Sequence, residues 1–210
     1  MSFKVAIYIF DNVEVLDFAG PYEVFTTASR VLYKMNASLE NLPFEVFTVG
    51  QTRKSVYARA GLKLHPDYSI TSHPTPDLLI IPGGVVTQEM EHEETVAWIK
   101  SVSQETTITA SICTGAFLLA KAGLLEHKKA TTHWEDMDEL SSLFPSITLE
   151  RGKRFVDEGK IVTSGGISAG IDMSLHLVER FVSRELALQT ARQMEFDWKE
   201  HYPPFNLFLL

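Results

Sequence analysis

Thr107-Ile108-Thr109-Ala110-Ser111-Ile112-Cys113-Thr114-Gly115-Ala116-Phe117 decides how this chain is built. Thr107 to Ile112 is β-branched and mostly apolar, which suits a strand buried on both faces of a parallel sheet. A helix from Gly115 to Ala122, ended by Gly123, follows at once. So sharp a turn lifts the side chain of Cys113 out of the sheet at its C-terminal edge. The small Gly115 and Ala116 let the helix pack close behind it, as in other nucleophile elbows. That edge is where ligands bind in doubly wound sheets. The helix N-terminus supplies positive potential and favours thiolate over thiol. The position therefore predicts a low-pKa nucleophile. A core thiol is the competing assignment, because free cysteine is among the most buried residue types, and position alone leaves both open.

Outward from this turn, strands alternate with helices. Val5 to Phe10, Phe44 to Val49 and Asp77 to Ile81 are apolar runs of strand length. Val56 to Leu64 reads as a short hairpin containing Gly61. Ala130-Thr131-Thr132, Ile147 to Leu149, Arg154 to Asp157 and Ile161 to Thr163 read as short strands, with a turn at Glu158-Gly159. Helices are predicted from Pro21, a favoured first helical residue, to about Tyr33, and over Gln88–Gln104, Trp134–Leu143, Ala169–Val182 and Arg184–Phe196. The alternation argues for a mostly parallel sheet covered on both faces. No repeat, low-complexity tract or domain-sized linker interrupts it, so residues 1–210 read as one domain. Its end, Pro203 to Leu210, is a short apolar tail expected to dock on its own domain or on a partner subunit.

Composition narrows the function. The chain has 210 residues, 45% hydrophobic, and a net charge of −8. An acidic chain without a basic run is a poor binder of nucleic acid or of an anionic membrane. No stretch reaches the ~18 apolar residues of a membrane span, and the N-terminus runs straight into a strand rather than a signal sequence. A cytoplasmic location is expected. One cysteine cannot build a disulfide framework. The histidines show no ligand spacing, so no metal site is expected. No dinucleotide or phosphate-binding glycine motif occurs, so no cofactor is expected.

Three more segments could carry chemistry beside Cys113. Pro82-Gly83-Gly84 follows a buried strand, and the glycine N–H groups could face charge developing on a reacting atom; a plain tight turn is the simpler account. Asp17 lies between Leu16 and Phe18 just past the first strand. A carboxyl in apolar surroundings holds its proton towards neutral pH, although a capping role before Pro21 would also explain it. Glu14 reads as a solvated surface charge. His133, in Thr131-Thr132-His133-Trp134, could orient the cysteine, or be a satisfied structural histidine.

Taken together, these segments resemble the ThiJ/PfpI superfamily, whose fold is similar to that of class I glutamine amidotransferases. The matching features are Asp17 after the first strand, Ile80-Ile81-Pro82-Gly83-Gly84, Ser111-Ile112-Cys113-Thr114-Gly115-Ala116, Thr131-Thr132-His133-Trp134, and Thr163-Ser164-Gly165-Gly166 leading into Ala169-Gly170-Ile171-Asp172. The resemblance implies an α/β three-layer sandwich with a mostly parallel, flavodoxin-like sheet. Peptidase-like and amidotransferase members carry His after the nucleophile or a Cys-His-Glu triad. Thr114 stands in that place here and counts against both activities. Asp17 with Cys113-Thr114-Gly115 looks like the isonitrile hydratase branch. The same pattern looks like the N-terminal domain of AraC-type regulators, and the end at Leu210 without a helix-turn-helix argues against that assignment. The hydratase resemblance implies that Cys113 attacks an isonitrile, Asp17 moves a proton, Thr114 holds the reacting atoms, and a thioimidate is hydrolysed to a formamide. Gly83, Gly84 and His133 would position substrate or charge. It further implies a small-molecule substrate and a homodimer. Glyoxalase-like chemistry on small electrophiles and a redox-sensing role for Cys113 are the alternatives.

Overall fold

A computed structural model describes residues 2–36 and 41–199. Its strands are β1 (Phe3–Tyr8), β2 (Phe44–Gly50), β3 (Val56–Tyr57), β4 (Lys63–Leu64), β5 (Tyr68–Ser69), β6 (Leu78–Ile81), β7 (Ile108–Ile112), β8 (Lys129–Ala130), β9 (Thr148–Leu149), β10 (Phe155–Asp157) and β11 (Ile161–Ser164). Its helices are α1 (Val15–Met35), α2 (Thr87–Glu91), α3 (Glu93–Glu105), α4 (Gly115–Lys121), α5 (Met137–Leu143), α6 (Ala169–Phe181) and α7 (Arg184–Gln193).

The apolar runs assemble into a seven-stranded sheet in the order β10-β11-β7-β6-β1-β2-β5. Every pairing is parallel except β10 with β11. Val5 to Tyr8, Leu78 to Ile81, and Ala110 to Ile112 are completely shielded from solvent, as continuous apolar runs in a two-sided sheet must be. Helices α1, α6 and α7 pack together, with α1 on β2 and α6 on β10 and β11. Helices α2, α3 and α4 form a second group, with α4 on β6 and β7. The result is the expected three-layer α/β sandwich. Counted in chain order, its five central parallel strands follow the 2-1-3-4-5 arrangement of flavodoxin-like folds. The order reverses between β1 and β6, so a crevice opens at their carboxyl ends beside the end of β7. No helix among the described residues is long and apolar enough to cross a membrane.

Several local expectations are corrected. Helix α1 begins at Val15, and Pro21 lies inside it. The buried stripe Asp17, Pro21, Val24, Ala28 and Val31 runs at helical spacing through the proline. Glu14 caps the helix through its side chain and is half-buried rather than solvated. The predicted helix 88–104 is two helices broken at His92. There Glu89 turns inward, and its carboxylate accepts a 2.6 Å hydrogen bond from the buried Tyr8 hydroxyl. The turn Trp134–Asp136 is 3-10 before α5 begins, and the last helix ends at Gln193 rather than Phe196. Strand β5 carries no run long enough to be read from sequence. The tail 203–210 lies outside the described residues.

Candidate active site

The site is built at the carboxyl ends of β1, β6, β7 and β11. Cys113 follows β7 directly and adopts φ +55°. A left-handed backbone at a residue other than glycine costs of order ~1–3 kcal/mol and persists only where surrounding contacts impose it. Those contacts are present. The Cys113 N–H lies 3.2 Å from the carbonyls of Ser164 and Gly165, and its own carbonyl accepts a 2.8 Å bond from the Thr132 hydroxyl. Gly115 permits the close approach of the following helix, since a Cβ there would stand 2.1 Å from the Ile81 carbonyl oxygen.

Thr114 and the Gly83-Gly84 turn are locked together. The Thr114 hydroxyl accepts from Gly84 N–H and donates to Gly84 C=O, both at 2.9 Å. Gly84 has φ +137°, and a Cβ there would fall 2.3 Å from the Asn12 carbonyl oxygen, so glycine is required. The Gly83 N–H donates to Asp17 Oδ2 at 3.0 Å. The expectation that the Gly83 and Gly84 N–H groups are free to meet developing charge is therefore corrected: both are already donated to protein oxygens. These glycines position Asp17 and Thr114 instead.

Asp17, in the first turn of α1, is completely buried, and its Oδ1 has no partner at full hydrogen-bond geometry. Burial pushes its carboxyl up to about 7, and the Glu14 charge adds to the rise. The N–H groups of Gly83 and Ile167 and the nearby Cys113 thiol act against it, with smaller effect. Cys113 is pushed up to about 12, first by burial and then by the charge of Asp17, with Asp136 adding less. The Thr114 N–H and hydroxyl offset part of this. Burial works against the low-pKa thiolate expected from the helix N-terminus, because taking the thiol out of water disfavours its charged form. Cys113 and Asp17 rest as a neutral thiol beside an acid poised near neutrality.

His133 reaches the edge of this group. Its ring lies against Gly166, where a Cβ would come within 2.2 Å of Cδ2. Its Nδ1 is 3.3 Å from Asp136 Oδ2 and 3.4 Å from the Glu135 N–H it accepts from. Among the described residues, no hydrogen bond joins the ring to Cys113. Sequence reasoning missed Asp136, Glu14 and Ile167. Asp136 was signalled only by its three-residue spacing from His133. Ile167, at φ +53°, gave no signal, since a β-branched residue is the last expected in that conformation. Leu16, Val85 and Trp134, each next to a site residue in the chain, are exposed, as is Ile167. Among the described residues, no cluster of three or more His, Cys, Asp or Glu could hold a metal ion.

A strained cysteine elbow beside a buried acid, at the switch point of a parallel sheet, defines an α/β protein of the nucleophile-elbow type. The chain belongs to the DJ-1/PfpI family, whose pattern matches residues 3–180. It is 34% identical over 207 residues to isonitrile hydratase of Pseudomonas putida, across 98% of this chain and 82% of that one. It is 28% identical to the HTH-type transcriptional regulator GbdR of Pseudomonas aeruginosa, of whose length it spans about half, 48%. Among solved structures, a ThiJ/PfpI family protein from Pseudomonas syringae superposes with TM-score 0.82 at 25% identity, covering 99% of this chain and 79% of that one. Drosophila melanogaster DJ-1beta shares the fold, with TM-score 0.79 at 18% identity over 94% of this chain and 100% of that one.

Proposed function

We propose that this chain hydrates isonitriles to N-substituted formamides through Cys113. The observation that carries the reading is the elbow cysteine paired with a buried Asp17 whose carboxyl is poised near neutrality. The likeness to an isonitrile hydratase over nearly the whole chain supports it. An isonitrile carbon needs both a nucleophile and a proton, and a thiol beside a carboxyl near neutrality supplies both. The Asp17 carboxylate takes the thiol proton as Sγ bonds to the terminal carbon, then delivers that proton to the same carbon. The product is a thioimidate, Cys–S–CH=N–R. Water adds to its C=N carbon, the C–S bond breaks with its electrons returning to sulfur, and the formamide leaves. Covalent capture divides one difficult addition into two easier steps. The Thr114 hydroxyl holds the Gly84 turn, while the Thr114 N–H supports sulfur as it gains and regains charge. The exposed Leu16, Val85, Trp134 and Ile167 offer apolar contact to the R group.

The test is incubation of purified protein with cyclohexyl isonitrile, following formamide by NMR and adducts by intact mass. Wild type forms formamide, and Cys113→Ala forms none. Equal turnover in the two proteins would sink the mechanism.

A second reading follows from the regulator likeness, in which the fold binds a small molecule without consuming it. Saturable isonitrile binding without formamide would favour it. A homodimer is also proposed, and light scattering of the purified chain decides it.

A further inference from the structure

Glu14 is the N-cap of α1 and Asp17 stands three residues on, in the helix's first turn, two positions that neighbour each other at a helix N-terminus. Glu14 and Asp17 also share an anchor. The Glu14 N–H donates to the Gly83 carbonyl at 2.8 Å, and the Gly83 N–H donates to Asp17 Oδ2 at 3.0 Å. The Asp17 N–H in turn donates to the Glu14 carbonyl at 3.2 Å. The Glu14 carboxylate is partly shielded and bonds Arg59 Nη1 at 3.2 Å. Arg59 is brought there by the turn between β3 and β4, whose backbone is tied to the same loop by Arg59 N–H donating to the Val13 carbonyl at 3.0 Å. A negative charge is thus built beside a buried acid, and a cation from a separate element is built against that charge.

We propose that the Glu14–Arg59 pair tunes the proton occupancy of Asp17: Glu14 adds to the proton affinity that burial gives the acid, and Arg59 limits that addition. Asp17 Oδ1 is buried without a full hydrogen bond, so a neighbouring charge acts on it with little screening by solvent. The other groups facing Asp17 are accounted for. Cys113 is held as a thiol, Asp136 Oδ2 lies 3.3 Å from His133 Nδ1, and Asp11 accepts from the Tyr57 N–H at 2.7 Å. Arg59 is therefore the cation within reach through Glu14. Glu14 and Arg59 are positioning residues, acting on the reaction through Asp17. The inference bears on catalysis only if Asp17 serves the hydration proposed above, but the ionisation itself is independent of turnover.

The experiment reads that ionisation directly, by ¹³C NMR titration of the Asp17 carboxyl in wild type, Glu14→Gln and Arg59→Ala, with Asp17→Asn assigning the resonance. Removing a like charge one helical turn away lowers the midpoint by about one pH unit in Glu14→Gln, and removing the cation raises it by about half a unit in Arg59→Ala. The acid limb of kcat/KM for isonitrile hydration moves in the same two directions. Midpoints that coincide, or that move in one direction in both variants, overturn the proposal. Opposed shifts in a protein without turnover retain the tuning and refute the hydratase reading alone.

Discussion

Asp17→Asn isolates the cost of burying an acid at this site. Burial pushes the folded carboxyl up to about 7, against 3.8 for an aspartate in water. A folded midpoint above the unfolded one means that the unfolded chain releases its proton first. Below about pH 4 both states hold the proton and no penalty exists. Between about pH 4 and 7 the penalty grows, and above 7 it is constant. A difference of about three pH units at ~1.4 kcal/mol each is about 4 kcal/mol. For a chain of this size that corresponds to ~8–16 °C in Tm. Asparagine keeps the acceptor for the Gly83 N–H and carries no charge, so the variant exceeds wild type by about 1 kcal/mol at pH 4.5 and by about 4 kcal/mol at pH 7.5. Urea denaturation of both proteins across that range measures it. Asp157 and Asp172 are present in both and cancel in the difference. Cys113 is pushed up to about 12, so its own contribution falls away only above the ordinary thiol range and leaves the window clear. Parallel stability curves from pH 4.5 to 7.5 would refute the reasoning, because they would mean that Asp17 ionises in the folded protein as it does in water.

Two further predictions concern the elbow. Thr114→Val removes both hydrogen bonds to the Gly84 peptide and leaves a part-buried N–H without its acceptor, so it costs about 2–4 kcal/mol in urea denaturation, whereas Thr114→Ser costs under about 1. Cys113, held as a thiol, reacts with iodoacetamide at pH 7.5 at least ~100-fold more slowly than a peptide cysteine, with a rate still climbing above pH 9; a rate that levels off near pH 7 would contradict the burial argument.

Much of this protein is legible along the chain. The runs Val5–Phe10, Asp77–Ile81 and Thr107–Ile112 are apolar without alternation, and only a sheet covered on both sides accommodates them, so the layered parallel architecture follows from them. The elbow at Cys113 is equally local, because a strand that meets a helix without a loop has few backbone solutions. What the tertiary structure decided is electrostatic and long-range. Cys113 reads as an activated thiolate when only its own helix is considered. Enclosure by β7, β11 and the buried Asp17 reverses that, since desolvation depends on everything packed around a group and no sequence window contains it. The Gly83-Gly84 amides look like free donors until Asp17 and Thr114, distant in sequence, are found to occupy them. Pro21 marks a helix start by local rule, yet the stripe from Asp17 to Val31 had a core to meet and carried the helix back to Val15. The sequence by itself determined the order of elements and the place of the nucleophile. The protonation of that nucleophile, and which neighbours hold it, waited on the packing that brings separate strand ends together.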